Sequence, residues 1–158
     1  MKKKTRVILF GGEKGGTGKT TLAVNMAAMS TSKGLQTMLL DCDPQQSASD
    51  WALLRDESEI KPHISCMQKL GEGVNHEIRH QIDMGIYDYI IVDAGGRDSN
   101  ELRSVLTCAH LLISPLQASQ FDIWTITKLN KLLSSNKIFN PNLAVKILIN
   151  CASTHHKD

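Results

Sequence analysis

Read for apolar and polar positions, the chain alternates short apolar runs with longer stretches of helical period. Candidate strands are RVILFG (6–11), QTMLLD (36–41), HISCM (63–67), YDYIIVD (87–93), HLLIS (110–114) and AVKILIN (144–150). Several are nearly continuous apolar runs, the pattern of strands covered on both faces. Between them, Leu22, Met26 and Met29 recur at helical spacing. So do Leu102, Val105, Leu106 and Ala109, behind a capping-box pattern of Asp98 and Glu101. The segment 121–137 carries Ile126, Leu129 and Leu133 on one face. Strand–helix alternation predicts right-handed crossovers and a doubly wound, mostly parallel α/β sheet. The pattern stops one strand after residue 140, and the chain ends CASTHHKD. Residues 1–158 therefore read as a single domain, C-terminally short of its last helix or strand elements. A further segment or another subunit is expected to cover the last strand.

Composition is that of an ordinary globular domain: 158 residues, 41% apolar and 22% charged. A net charge of +2 argues neither for nor against a nucleic-acid partner. No apolar run approaches the roughly 20 residues of a membrane span. The basic start MKKKTRVILF is followed at once by Glu13 and Lys14, and VILF is shorter than the about 7 residues of a signal-peptide core. The expectation is a cytoplasmic protein without a membrane partner. The four cysteines, Cys42, Cys66, Cys108 and Cys151, form no C-x-x-C pair and read as scattered buried thiols.

The chemistry concentrates in GGEKGGTGKTT, between the first strand and a helical pattern that starts near Lys19. A strand–loop–helix junction of this kind suits phosphate. Glycines let backbone N–H groups close around the oxygens, and the helix N-terminus adds partial positive charge. Lys19 is placed to reach the β- and γ-phosphates, and the Thr20 hydroxyl to ligate Mg²⁺. Gly15, Gly16, Thr17, Gly18, Lys19, Thr20 and Thr21 are the nucleotide-binding candidates. The strict phosphate-loop pattern fails at Glu13, and a second lysine, Lys14, stands at the head of the loop.

KGGTGKTT resembles the deviant Walker A motif of the ParA/MinD family, and the resemblance is closest to the plasmid-partition ATPases. It implies a P-loop ATPase using ATP and Mg²⁺. It also implies that Lys14 reaches across a sandwich homodimer to the other subunit's phosphates, so that Lys14, Asp43 and Lys19 form the catalytic set. A cation there stabilises charge that builds in the transition state. The stretch LLDCDPQQ resembles the family's D-x-D-P-Q, with Asp41 near Mg²⁺ and its waters and Asp43 orienting the attacking water. YDYIIVDAGG resembles a Walker B strand, its Asp93 holding Mg²⁺ through water. Many relatives have proline where Gly95 and Gly96 stand, so the resemblance leaves the geometry of this switch and the role of Arg97 open. Pro115 and Ser119 resemble a motif near the dimer face, and Asn150 stands where relatives present a nucleotide-base contact. The implied function is an ATP-dependent dimerising switch for partition of plasmid or mobile DNA. It binds DNA non-specifically in the ATP state, associates with the nucleoid, and hydrolyses slowly under stimulation by a DNA-bound ParB-type partner. The alternatives are a MinD-like positioning ATPase and a biosynthetic P-loop ligase of dethiobiotin or cobyrinate type.

One motif competes. HEIRH (76–80) matches the zinc-protease pattern H-E-x-x-H, but Arg79 is misplaced and no third ligand is evident. It reads as an exposed helix face. Residues 123–158 carry Lys128, Lys131, Lys137, Lys146 and Lys157 against Asp158 alone. With Lys2, Lys3 and Lys4 they are equally a DNA surface or solubilising charge.

Overall fold

The computed structural model describes residues 4–118 and 123–151. The elements in chain order are β1 (Arg6–Phe10), α1 (Lys19–Ser32), β2 (Thr37–Cys42), α2 (Ser47–Glu57), β3 (Ser65–Gln68) and α3 (Val74–Met84). They continue with β4 (Tyr89–Ala94), α4 (Asn100–Leu106), β5 (Leu111–Gln117), α5 (Ile123–Asn136) and β6 (Ala144–Asn150). All six strands are parallel, in the order β3-β2-β4-β1-β5-β6. The doubly wound α/β sheet expected from the alternating pattern is present. Ser119, Lys2, Lys3, Lys157 and Asp158 lie outside the described residues.

The inner strands are buried on both sides because their apolar runs are continuous. Val7, Leu9, Met38, Leu40, Ile90 and Val92 face a core closed by α3, α4 and α5. Ile8, Phe10, Leu39 and Ile91 face the opposite core, closed by α1 and α2. Burying one such side chain stabilises the fold by about 1.5–3 kcal/mol relative to leaving it exposed.

Several local expectations change. In α1 the core face is Ala23, Val24, Ala27 and Ser30, while Met29 is 51% exposed. Small residues let this helix lie close on the sheet, so the large apolar stripe falls on its flank. The N-cap of α4 is Ser99, whose Oγ accepts from the Leu102 N–H, not Asp98. Asp98 instead pairs with Arg103 at 2.5 Å. Of the four cysteines only Cys42 is buried; Cys66 and Cys151 are exposed.

Strand β5 runs through Pro115. It pairs with β1 only at Leu111–Ile113, and the Ile113 carbonyl takes the last bond, from the Gly11 N–H. Pro115, two residues on, faces the same side, where β1 has ended, so its missing N–H costs no ladder bond. Strand β6 closes the sheet with Val145, Ile147, Leu148 and Ile149 each 36–44% exposed.

Candidate functional site

Parallel strands bring their carboxyl ends to one edge of the sheet, where ligands bind in open α/β folds. Register places Asp93 beside both Phe10 and Asp41, so β1, β2 and β4 deliver their terminal residues to a common point. The glycine loop leaves β1 there. Gly16 (φ 70°) and Gly18 (φ 94°) both take left-handed backbone, which lets successive N–H groups turn to one side before α1 begins at Lys19. The loop, Asp43–Gln45 and Gly95–Arg97 line a cleft of about 1060 Å³.

Within the cleft, Lys19 is buried. Its Nζ donates to the Lys14 carbonyl at 2.5 Å and to Thr17 Oγ1 at 3.3 Å. Burial lowers its pKa from the ordinary lysine value, opposed by the charges of Asp93 and Asp43. The Thr20 hydroxyl donates to Asp93 Oδ2 at 2.7 Å. Asp93 Oδ1 is buried and has no hydrogen-bond partner. Burial pushes the Asp93 carboxyl up to about 6, offset in part by the Thr20 bond. A buried carboxylate oxygen aimed at nothing costs free energy unless a cation or its waters meet it. A hydroxyl and a carboxylate side by side are the oxygen donors that Mg²⁺ accepts, so the residues fit that ion.

The two aspartates of the second motif differ. Asp41 is fully buried, and its oxygens are taken by the Asp43 N–H at 3.0 Å and by the Ser49 N–H and hydroxyl, each at 2.8 Å. It ties β2 to the start of α2. Asp43 is half-exposed, and its Oδ1 accepts the Gln45 N–H at 3.0 Å. Its carboxylate lies against Gly95, where an added Cβ would sit 3.2 Å away. Gly96 approaches the phosphate loop still more closely, for its Cβ would meet Gly15 Cα at 2.8 Å. Neither glycine has positive φ, so close approach alone requires them. Arg97 is exposed on the rim.

Two side chains grip the loop from behind. Gln117 Nε2 donates to the Gly16 carbonyl at 2.8 Å, and Asn150 Nδ2 to the Thr17 carbonyl at 3.0 Å. The resemblance implies a nucleotide-base contact for Asn150; in the structure its amide nitrogen donates to the loop. Gln117 has no motif to announce it, and only its place at the end of β5 could have pointed to it. Lys14 is half-exposed at the loop head, beside Glu13, whose carboxylate lies 3.9 Å from Lys128 of α5. His76 and His80 are exposed on α3, and no group of three or more metal-ligating side chains exists among the described residues. No helix among them is long and apolar enough to cross a membrane.

A glycine nest at a helix N-terminus, a buried lysine within it, and a Thr–Asp pair at its foot define a P-loop nucleotide-binding protein. The chain belongs to the CobQ/CobB/MinD/ParA nucleotide-binding domain family, whose model matches residues 8–150. It is 29% identical over 118 residues to the protein ParA of Rhizobium radiobacter, an alignment covering 73% of this chain and 50% of the relative. The chain thus spans about half the length of that curated relative. Its fold is that of a plasmid partition protein from Borrelia burgdorferi, with TM-score 0.73, 19% identity, and 98% and 82% of the two chains covered. It is also that of cobyrinic acid a,c-diamide synthase from Mycobacterium smegmatis, solved with an ATP analogue and magnesium. There the TM-score is 0.78 at 21% identity, over 96% and 75% of the chains.

Proposed function

We propose that this chain is the nucleotide-switch domain of a partition ATPase for plasmid or mobile DNA. ATP and Mg²⁺ drive it into a sandwich homodimer, the dimer binds DNA without sequence preference over the nucleoid, and slow hydrolysis resets it. A DNA-bound ParB-type partner stimulates that hydrolysis. The observation that carries the reading is the convergence of Lys19, Thr20 and Asp93 at one end of the sheet, with Lys14 at the loop head above them.

Each residue has a part in it. The Thr17, Gly18 and Lys19 N–H groups and the Lys19 ammonium hold the β- and γ-phosphates. Thr20 and Asp93 would hold Mg²⁺, which would supply neutralisation of phosphate charge, with Asp41 adding negative charge nearby. Asp43 orients water, a task of placement more than of basicity. Lys14 brings a positive charge to the partner subunit's phosphates, coupling dimerisation to the nucleotide state. Lys128 and Lys131, exposed on α5, add to the surface that meets DNA.

The test is DNA binding by Asp43→Ala with ATP, with ADP and over a salt series. The variant should accumulate as an ATP-bound dimer that retains unrelated duplexes, with retention falling steeply as salt rises. A dimer that shows no ATP-dependent DNA binding defeats the partition reading. Turnover that depends on a small carboxylic-acid acceptor would then favour a biosynthetic ligase, the reading supported by the likeness to the cobyrinic acid enzyme's fold.

A further inference from the structure

Gln117 and Asn150 are direct register partners at the carboxyl ends of β5 and β6. Their amides donate to consecutive carbonyls of the glycine loop, those of Gly16 and Thr17. In a trans peptide the C=O and the N–H of the next residue point in opposite directions. Holding the Gly16 carbonyl therefore fixes the Thr17 N–H, and holding the Thr17 carbonyl fixes the Gly18 N–H. Both peptides are flanked by left-handed glycines, the residues freest to rotate. A flip of either peptide would replace a donor in the nest by a carbonyl oxygen and repel phosphate. Gly18 is fitted to this contact, because a Cβ there would collide with the Asn150 amide.

We infer that Gln117 and Asn150 form a two-amide latch that keeps the loop's N–H groups aimed at the polyphosphate before it arrives. They are positioning residues, acting through the backbone of Gly16, Thr17 and Gly18. Preorganised donors bind more tightly because their ordering is not charged to the binding step. The inference rests on the nucleotide reading of the site, and it gives Asn150 a role toward phosphate that is blind to the base.

The experiment compares wild type, Gln117→Met, Asn150→Leu and the double variant by titration calorimetry with Mg²⁺ and ATP, GTP or inorganic tripolyphosphate. Each single variant should bind all three ligands about fivefold more weakly, the loss of one ordinary hydrogen bond's worth of preorganisation. The double variant should lose about the product of the two. Asn150→His, which keeps an N–H donor, should recover most of the affinity. In ¹H–¹⁵N spectra the Thr17 and Gly18 amides should broaden in the variants while the melting temperature holds. Should Asn150→Leu not fold, Gln117→Met, at a half-exposed strand end, decides alone. Variants that bind tripolyphosphate as tightly as wild type overturn the latch. So does a loss confined to ATP, which would mark a base contact. A wild-type chain that binds none of the three overturns the nucleotide reading and the latch with it.

Discussion

Thr20 donates its hydroxyl to one oxygen of Asp93 at 2.7 Å, while the other oxygen of that buried carboxylate has no partner. Burial has lifted the carboxyl to about 6, so the ionised form strains the fold. Above that value the protein keeps a costly charge at the foot of the glycine loop, which is the condition for a cation to bind well. Asp93→Asn should therefore separate stability from function. At pH 8 the variant should melt a few degrees higher than wild type, yet bind Mg²⁺–ATP at least about tenfold more weakly. Scanning calorimetry and nucleotide titration check the two halves. A variant that melts lower and binds normally would make Asp93 a structural residue.

Gly95 bears on the neighbouring aspartate. An added Cβ would press on the Asp43 carboxylate at 3.2 Å, and the residue's φ gives no other reason for glycine. Gly95→Ala should lower ATP turnover by about an order of magnitude by displacing a positioned carboxylate, with nucleotide affinity within about twofold of wild type. Steady-state kinetics beside direct binding decide it. Equal loss in both would mean that the whole loop had moved.

His110 predicts an acid limit to stability. Its Nδ1 accepts the Val7 N–H at 3.1 Å, a bond that exists only when that nitrogen is unprotonated. Burial, with Arg6 and Lys4 nearby, holds its pKa below the ordinary 6.5. The unfolded chain then binds the proton more readily than the folded one. This contribution to stability is complete above about 6.5 and is lost as pH falls through the lower folded value. His110→Asn, which keeps an acceptor, should flatten the urea-midpoint profile below about pH 6.5. A wild-type profile already flat there contradicts the assignment.

Much of this was readable from the chain because the inner strands carry nearly continuous apolar runs and the loop carries its glycines and lysine in a fixed spacing. What was not readable has particular causes. Helix α2 left no clear apolar stripe: its buried residues are Ala48 and Ala52, with Trp51 partly buried against the same core, while Leu53 and Leu54 are 59% and 63% exposed. The stripe read in α1 ran along its flank, because small residues make the close contact with the sheet. Asp98 looked like a cap, yet Ser99 is one residue better placed and Asp98 had a charged partner in Arg103. In the site, the loop lysine, Thr20 and Asp93 follow from motif spacing. The Gln117 and Asn150 contacts depend on which strands lie side by side, and that order appears only once the sheet is assembled.

The central claim is that Lys14 works across a dimer. Lys14→Ala tests it cleanly, because Lys19 is held by the backbone carbonyl of residue 14, which the substitution leaves in place. The measurement is multi-angle light scattering of wild type and Lys14→Ala with Mg²⁺ and a non-hydrolysable ATP analogue, with nucleotide affinity measured in parallel. The account predicts a nucleotide-dependent dimer for wild type, and a variant that binds the analogue within about threefold of wild type yet stays monomeric. A Lys14→Ala protein that dimerises as wild type does, or a wild-type chain that binds the analogue and remains monomeric, contradicts it.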